Sequence, residues 1–288
     1  GRGREARLQK PAKRFEEKRD DFAGILDPAG SARSYGLNRY RPSPALAPFV
    51  EHYWVVSWEL PEGASYLAEG LPHPNLNLAF TRERGWITGV TTGRYNYEVK
   101  GAGAVFGVMF RPGGFRPFFG RAVAELTDAT LDAATIFPRA TETARATLMG
   151  EPDRQQMIAL AEAILTDGGL PATDPNTELA AGIVELARTD REIVSVAALA
   201  RRAGVNERTL QHLFQHYVGS SPKWVIRLYR LVEAAARATA EDAPNWTEVA
   251  HELGYADQAH FSNDFRRIVG RAPTEYQRDV RQSATRAP

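Results

Sequence analysis

Two stretches near the C-terminus decide how this chain reads. They are residues 195–222, SVAALARRAGVNERTLQHLFQHYVGSSP, and residues 245–273, NWTEVAHELGYADQAHFSNDFRRIVGRAP. They are two copies of one pattern. Ser195, Val196, Ala200, Gly204 and Val205 align with Asn245, Trp246, Ala250, Gly254 and Tyr255, fifty residues apart. Past the turn, Asn206, Leu210, Phe214, Val218, Gly219 and Pro222 align with Asp257, Phe261, Phe265, Val269, Gly270 and Pro273. One extra residue in the second turn separates the two registers, and each register is kept.

Each repeated position has a physical reason. Ser195 and Asn245 suit helix N-caps, because their side chains accept from free N–H groups of the first turn. Asn245 with Glu248 fits a capping box. Ala200 and Ala250 are small enough for two helices to cross closely. Gly204 and Gly254 allow the positive-φ backbone of a tight helix-to-helix turn. Asn206 and Asp257 then cap the next helix. Leu210, Leu213, Phe214 and Tyr217 recur at i, i+3, i+4 and i+7 and form one buried stripe. Phe261 and Phe265 do the same in the second copy. Gly219 and Gly270 end these helices, and Pro222 and Pro273 prevent their continuation.

A short helix, a glycine turn and a second capped helix make a helix-turn-helix, whose second helix fits the major groove of duplex DNA. The face opposite the apolar stripe must then carry hydrogen-bonding groups. The first copy offers Arg208, Thr209, Gln211, His212 and Gln215. The second offers Gln258, His260, Ser262 and Asn263. Arg pairs with guanine and Gln or Asn with adenine by bidentate geometry. Between the copies, Lys223 to about Ala240 reads as one helix with apolar Ile226, Leu228, Leu231 and Val232 and an alanine-rich end. Such a helix spans roughly 27 Å, which suits two reading heads on successive major-groove segments about 34 Å apart.

Outward from the repeat the texture changes. Residues 167–177 contain Gly168, Gly169, Pro171 and Pro175 and read as a linker that few contacts cross. Residues 33–166 read as a β-rich sensor and dimerisation domain. Short aromatic and β-branched runs, Phe49–Trp58, Leu76–Phe80, Trp86–Val90, Tyr95–Val99 and Val105–Phe110, alternate with turns, and residues 141–149 and 153–166 carry helical spacing. Residues 1–32 read as a flexible basic arm, with eight Lys/Arg against four acids in the first twenty residues. The expected fold is α+β: an N-terminal antiparallel β-barrel or sandwich with helices, and an all-α C-terminal domain, residues 178–288, with two helix-turn-helix units joined by a linker helix.

Composition narrows the classes. The chain has 288 residues, 43% of them hydrophobic and 25% charged, with a net charge of +1. These are globular values for two domains. Cysteine is absent, which removes disulfides, thiolate metal sites and cysteine nucleophiles. No run is long and apolar enough for a membrane span, and the N-terminal stretch lacks a signal-peptide core. The expected location is cytoplasmic.

Residues 178–281 resemble the C-terminal DNA-binding domain of the AraC/XylS family of bacterial transcription regulators. The carriers are Ala200-x3-Gly204, Leu210-x3-Phe214-x4-Gly219-x2-Pro222, Ala250-x3-Gly254-Tyr255 and Phe261-x3-Phe265-x4-Gly270-x2-Pro273-x2-Tyr276. The resemblance implies base contacts from Arg208, Gln211 and His212 in one head, beside Thr209 of the same polar face, and from Gln258, Ala259, His260, Ser262 and Asn263 in the other. It implies a phosphate contact from Arg266. Ala259 offers only a methyl group, so the second head reads fewer base edges. Residues 40–137 more weakly resemble an N-terminal domain of some members, through Phe49–Trp54, Leu71-Pro72-His73 and Phe110–Phe115. There the family often has a cupin-like barrel that senses a small molecule, with helices that dimerise. His73 and Asn75 replace the residues common in that loop, so a shared ligand is not implied. Duplex DNA, a small-molecule effector, a homodimer and RNA polymerase are the partners the resemblance implies, with no cofactor and no membrane.

Two other classes compete. A cupin-type metal oxygenase needs two His and a carboxylate on one face, yet the barrel region holds only His52 and His73 and no His-x-His pair. No Gly-x-Ser-x-Gly or phosphate-binding loop is present. The reading is a non-enzymatic regulator. A regulator controlled by a protein partner, with no small ligand, remains compatible with the sequence.

Overall fold

The computed structural model describes residues 17–19, 35–238 and 244–285. Its N-terminal unit is built of antiparallel strands. They are β1 (Glu17–Arg19), β2 (Gly36–Tyr40), β3 (Val50–Glu59), β4 (Ser65–Gly70), β5 (Asn77–Phe80), β6 (Gly85–Thr88), β7 (Tyr95–Lys100), β8 (Ala102–Phe110) and β9 (Thr130–Asp132). Seven form one sheet in the order β1-β2-β3-β8-β5-β6-β9, and β4 pairs with β7 in a separate ribbon. The antiparallel β architecture matches the expectation, as two sheets. Strand β1 lies within the expected arm and pairs with Asn38–Tyr40. The rest of residues 1–34 lies outside the described residues.

The long central pair β3–β8 shows how pattern becomes packing. Strand β8 runs between β3 and β5, and its apolar stretch Val105–Val108 is buried throughout, as expected of a covered central strand. In β3 a register shift between Val50 and His52 marks a bulge. A bulge inserts one residue and changes which parity faces inward. Hence Val50 is buried, and beyond the bulge Tyr53 and Val55 are. The core gathers Tyr53, Phe80, Phe106, Phe110 and Phe115, then Leu148 of α2 (Glu142–Gly150) and Met157, Ile158 and Ala161 of α3 (Arg154–Leu165). A short helix, α1 (Arg116–Phe119), adds Phe119. The Tyr53 hydroxyl donates to Glu162 Oε1 at 3.0 Å and so ties the sheet to α3.

The stretch expected to link two independent units is irregular up to Asp174, which caps α4 (Pro175–Thr189) by accepting from Asn176 N at 2.9 Å. Several side-chain pairs nevertheless cross this stretch. Arg111 donates to both Glu178 carboxylate oxygens, at 3.2 and 3.4 Å. Thr127 Oγ1 donates to Gly219 O at 2.6 Å, and Trp224 Nε1 to Thr92 O at 3.2 Å. Glu69 accepts from Arg94 on one side and from Arg271, 202 residues away, on the other. Glycine and proline predict irregular backbone, but they say nothing of whether the flanking surfaces complement each other.

Beyond α4 every regular element among the described residues is helical: α5 (Val196–Ala203), α6 (Glu207–Leu213), α7 (Pro222–Ala238), α8 (Trp246–Glu252), α9 (Gln258–Val269) and α10 (Pro273–Thr285). Pro175, Pro222 and Pro273 each open a helix, where the missing N–H costs nothing and the fixed φ is already helical. The prolines expected only to stop a helix therefore also start the next one. The last residues expected in the linker helix, 239 and 240, lie outside the described residues. No helix among the described residues is long and apolar enough to cross a membrane.

Candidate nucleic-acid interface

The two helix-turn-helix units form as their sequences dictate. Ser195 accepts from Ala198 N at 3.2 Å and Asn206 from Thr209 N at 2.8 Å. Asp257 accepts from His260 N at 2.7 Å. Asn245 caps α8 through Thr247 N at 3.1 Å, one residue short of the Glu248 amide that a capping box uses. Gly204 and Gly254 turn the chain at φ 68° and 79°, a backbone that a Cβ disfavours. Helix α6 runs on as a π turn over Phe214–Val218, closed by Gly219 N donating to Phe214 O at 2.8 Å. This widened turn breaks the simple i, i+4 ladder expected from the apolar stripe, yet Leu210, Leu213, Phe214 and Tyr217 all stay buried.

Each head has its own core, and the linker helix belongs to both. Val225 and Ile226 of α7 pack with Leu199, Leu210 and Phe214 in the first. Leu228, Leu231, Ala234 and Ala235 pack with Trp246, Phe261 and Phe265 in the second. Trp224 touches both of these clusters and the core of the N-terminal unit. The spacer expected between the heads is therefore a shared wall, which fixes their mutual orientation more firmly than a free strut would.

With the stripes buried, the opposite faces look outward. Arg208, Thr209, Gln211 and His212 are exposed, and so are Gln258, Ala259, His260, Asn263 and Arg266; Ser262 is half-buried. The two heads differ in how these side chains are held. Arg208 and Gln211 make no side-chain hydrogen bond or ion pair among the described residues. His212 stacks on His216 with ring centroids 4.2 Å apart. Burial, then the neighbouring His212 and Arg116 charges, hold the His216 pKa below its usual value. In the second head, Gln258 Oε1 accepts from Thr247 Oγ1 at 2.9 Å, and Asn263 Oδ1 from Arg266 Nη1 at 3.4 Å. His260 faces Arg227 of the linker helix, Nη2 to Nε2, at 3.4 Å. Sequence reasoning missed Arg227 and its partner Asp264, 3.2 Å away. Nothing in their local spacing ties one helix to the other.

Gln211 and Gln215 also border a cavity of about 550 Å³ whose far wall is Thr92, Gly93 and Thr127 of the N-terminal unit. Arg267 of α9 lines the same cavity. One flank of the first head is thus in reach of the N-terminal unit. Among the described residues no group of three His, Cys, Asp or Glu is placed to hold a metal ion.

Two families match. Residues 38–132 match a domain of unknown function (DUF6597), and residues 199–279 match a helix-turn-helix domain. The HTH-type transcriptional activator RhaS of Pectobacterium carotovorum is 34% identical over 82 residues, 28% of this chain and 29% of that protein. A Streptomyces lividans protein named as an AraC-like transcription regulator is 33% identical over 84 residues, 29% of this chain and 27% of its own length. The matched stretch thus spans less than a third of these curated relatives. Among solved structures, the DNA-binding domain of the global transcriptional factor AdpA in complex with a target DNA is 27% identical. It covers 40% of this chain and all of its own, with a TM-score of 0.32.

Proposed function

We propose that the chain is a sequence-specific transcription regulator of the AraC type that reads duplex DNA with both heads, since residues 199–279 match a helix-turn-helix domain. One observation carries this reading. Two capped second helices present polar faces, and a single helix of 17 residues shared by both cores holds them together. At 1.5 Å per residue that helix spans about 25 Å, compatible with adjacent major-groove segments. Arg208, Thr209, Gln211 and His212 read one segment. Gln258, Ala259, His260, Ser262 and Asn263 read the next, and Arg266 binds phosphate.

The test is separability. Arg208→Ala and Gln211→Ala are expected to relax base preference in one half of the operator, each at a cost of about 1–3 kcal/mol. His260→Ala is expected to act only on the other half. Selection from a randomised operator library reads both. If all three substitutions weaken every sequence equally, the base-reading assignment fails.

The N-terminal unit, in this proposal, controls the heads in response to a small-molecule effector and carries a dimer interface. Support comes from where it touches the C-terminal helices: at Gly219 and Trp224, where the first head meets the linker helix, and at Arg271, just past the second reading helix. An effector acts only if it binds two arrangements of these contacts differently. Operator affinity is therefore expected to shift with effector in the full chain and not in a fragment of residues 172–288. The fragment is expected to bind more weakly, because losing the dimer lowers avidity. Titrating both against one operator across a metabolite panel decides it. A fragment that responds like the full chain removes the sensor role.

A further inference from the structure

We propose that Arg227 and Asp264 are positioning residues that lock His260 as a hydrogen-bond donor toward DNA, so that the second head selects base edges that present acceptors. The inference rests on the reading of His260 as a base contact and adds what that contact recognises.

One group fixes the His260 backbone and three face its ring. The His260 amide is fixed by the Asp257 cap at 2.7 Å. The Tyr255 ring stands edge-on to the imidazole, centroids 5.3 Å apart at 86°. Asp264 is 13% exposed, and its Oδ2 pairs with the Arg227 guanidinium, Nη1 at 3.2 Å, and accepts from the Tyr255 hydroxyl at 3.4 Å. So held, Arg227 turns its second terminal nitrogen to His260 Nε2 at 3.4 Å.

The chemistry of the pair then sets the tautomer. A guanidinium is always protonated and has no lone pair to offer, so it only donates. Nε2 must therefore accept, and in a neutral imidazole the single proton then sits on Nδ1. The competing arrangement, an Nε2–H donating to Asp264 Oδ2, would have to span 3.9 Å, beyond a hydrogen bond. Nδ1 has no partner among the described residues, and the side chain is 47% exposed.

In the major groove a single donor finds acceptors on guanine (N7, O6), adenine (N7) and thymine (O4), whereas cytosine presents only its amino group. The lock therefore makes the second head discriminate against cytosine at one position. One hydrogen bond lost, with donor facing donor, is worth roughly tenfold in affinity. Arg227 would decide this preference without touching DNA.

The experiment uses the full chain at about pH 8, where imidazoles are neutral. Ring nitrogen chemical shifts report the tautomer, and the His260 signals are assigned by their loss in His260→Ala. The parent is expected to show Nδ1–H. Arg227→Met is expected to give a tautomer mixture, and Arg227→Lys, which still donates, to restore Nδ1–H. Asp264→Asn, which weakens the hold on Arg227, is expected to shift the mixture in the same direction as Arg227→Met. In operator selection, Arg227→Met is expected to erase the roughly tenfold bias against cytosine and to leave the half read by Arg208 unchanged. An Nε2–H tautomer in the parent overturns the inference. So does an Arg227→Met chain with the parent's shifts and base preference. If His260→Ala leaves all base preferences intact, the base-contact reading fails and takes the DNA half of the inference with it. The nitrogen shifts still decide the lock.

Discussion

Raising the salt from about 50 to about 200 mM is expected to weaken operator binding by the full chain about a thousand-fold. The chain's net charge of +1 argues against any strong pull on nucleic acid at a distance. Distance is the wrong scale, however, because salt screens charges within about 8–10 Å. What counts is the charge at the contact. Arg208, Arg266 and Arg267 are exposed on the two second helices. Arg208 and Arg267 have no acidic partner among the described residues. The capped N-termini of α6 and α9 add free N–H groups and the positive end of each helix dipole. If about six phosphates are engaged, each contributes about −0.9 to the log–log slope, and a slope near −5 follows. A fourfold rise in salt then gives the thousand-fold loss. Arg266→Ala is expected to lower the slope by about one while leaving base preference alone. Titration of a labelled operator at several salt concentrations measures both. A flat response would sink the proposal that the exposed helix faces bind a duplex.

Where the sequence alone sufficed and where it did not follows one physical division. The two heads were legible because their determinants are local. A cap reaches three residues ahead, a glycine turn is set by its own φ, and an apolar stripe repeats every three or four positions. Hence Ser195, Gly204, Asn206, Gly254 and Asp257 stand where the reading put them. Strand β4 leaves little mark in the sequence, because Ser65–Gly70 is half-exposed and pairs only with β7. A ribbon covered on one side needs little apolar patterning. Contacts between units were illegible for a different reason. Thr127 with Gly219, or Glu69 with Arg271, pair residues 92 and 202 positions apart. Neither residue carries any sign of the other. The Arg227–Asp264–His260 set falls in the same class: three polar residues that read as a solvated face until the fold folds them together. The exposed face and the specificity it carries are thus two separate questions, and only the first is written in periodicity.

Arg230→Ala is expected to destabilise the C-terminal unit by about 3–5 kcal/mol, the range for removing one partner from a buried charged group. Arg230 sits on α7 among apolar residues and is 1% exposed. A charge there is a liability unless it is paired; Nε finds no hydrogen-bond partner among the described residues, but both terminal nitrogens do. Its Nη2 donates to Ala187 O at 2.6 Å and its Nη1 to Asp190 O at 3.3 Å. These carbonyls belong to the last turn and C-cap of α4, where helix geometry leaves acceptors without internal donors. Arg230 thus caps α4 from a neighbouring helix. Glu233 lies 3.7 Å away and balances the charge; it also holds Arg237 at 2.8 Å and Arg191 at 3.5 Å. Burial pushes the Arg230 pKa below its usual value, with Glu233 and then Asp190 opposing that shift. A guanidinium starts so high that it stays charged at neutral pH. Truncation to alanine therefore removes both donors, opens a void and leaves Ala187 O without a partner, while Asp190 O keeps Ile193 N at 3.2 Å. Arg230→Met separates these effects, because it fills much of the volume and restores no hydrogen bond. Its expected cost is smaller, about 1–3 kcal/mol, the desolvation of the one orphaned carbonyl. Urea unfolding followed by circular dichroism ranks the three proteins. The functional consequence follows from the same geometry. Arg230 ties α4, which packs under the first head, to the helix that carries the second. Its loss is expected to blur base selection by Arg208 and Gln211 in the methionine variant, even where that variant is still folded. If Arg230→Met matches the parent in both stability and base selection, the buried guanidinium is a passenger and the cap is not what joins the heads.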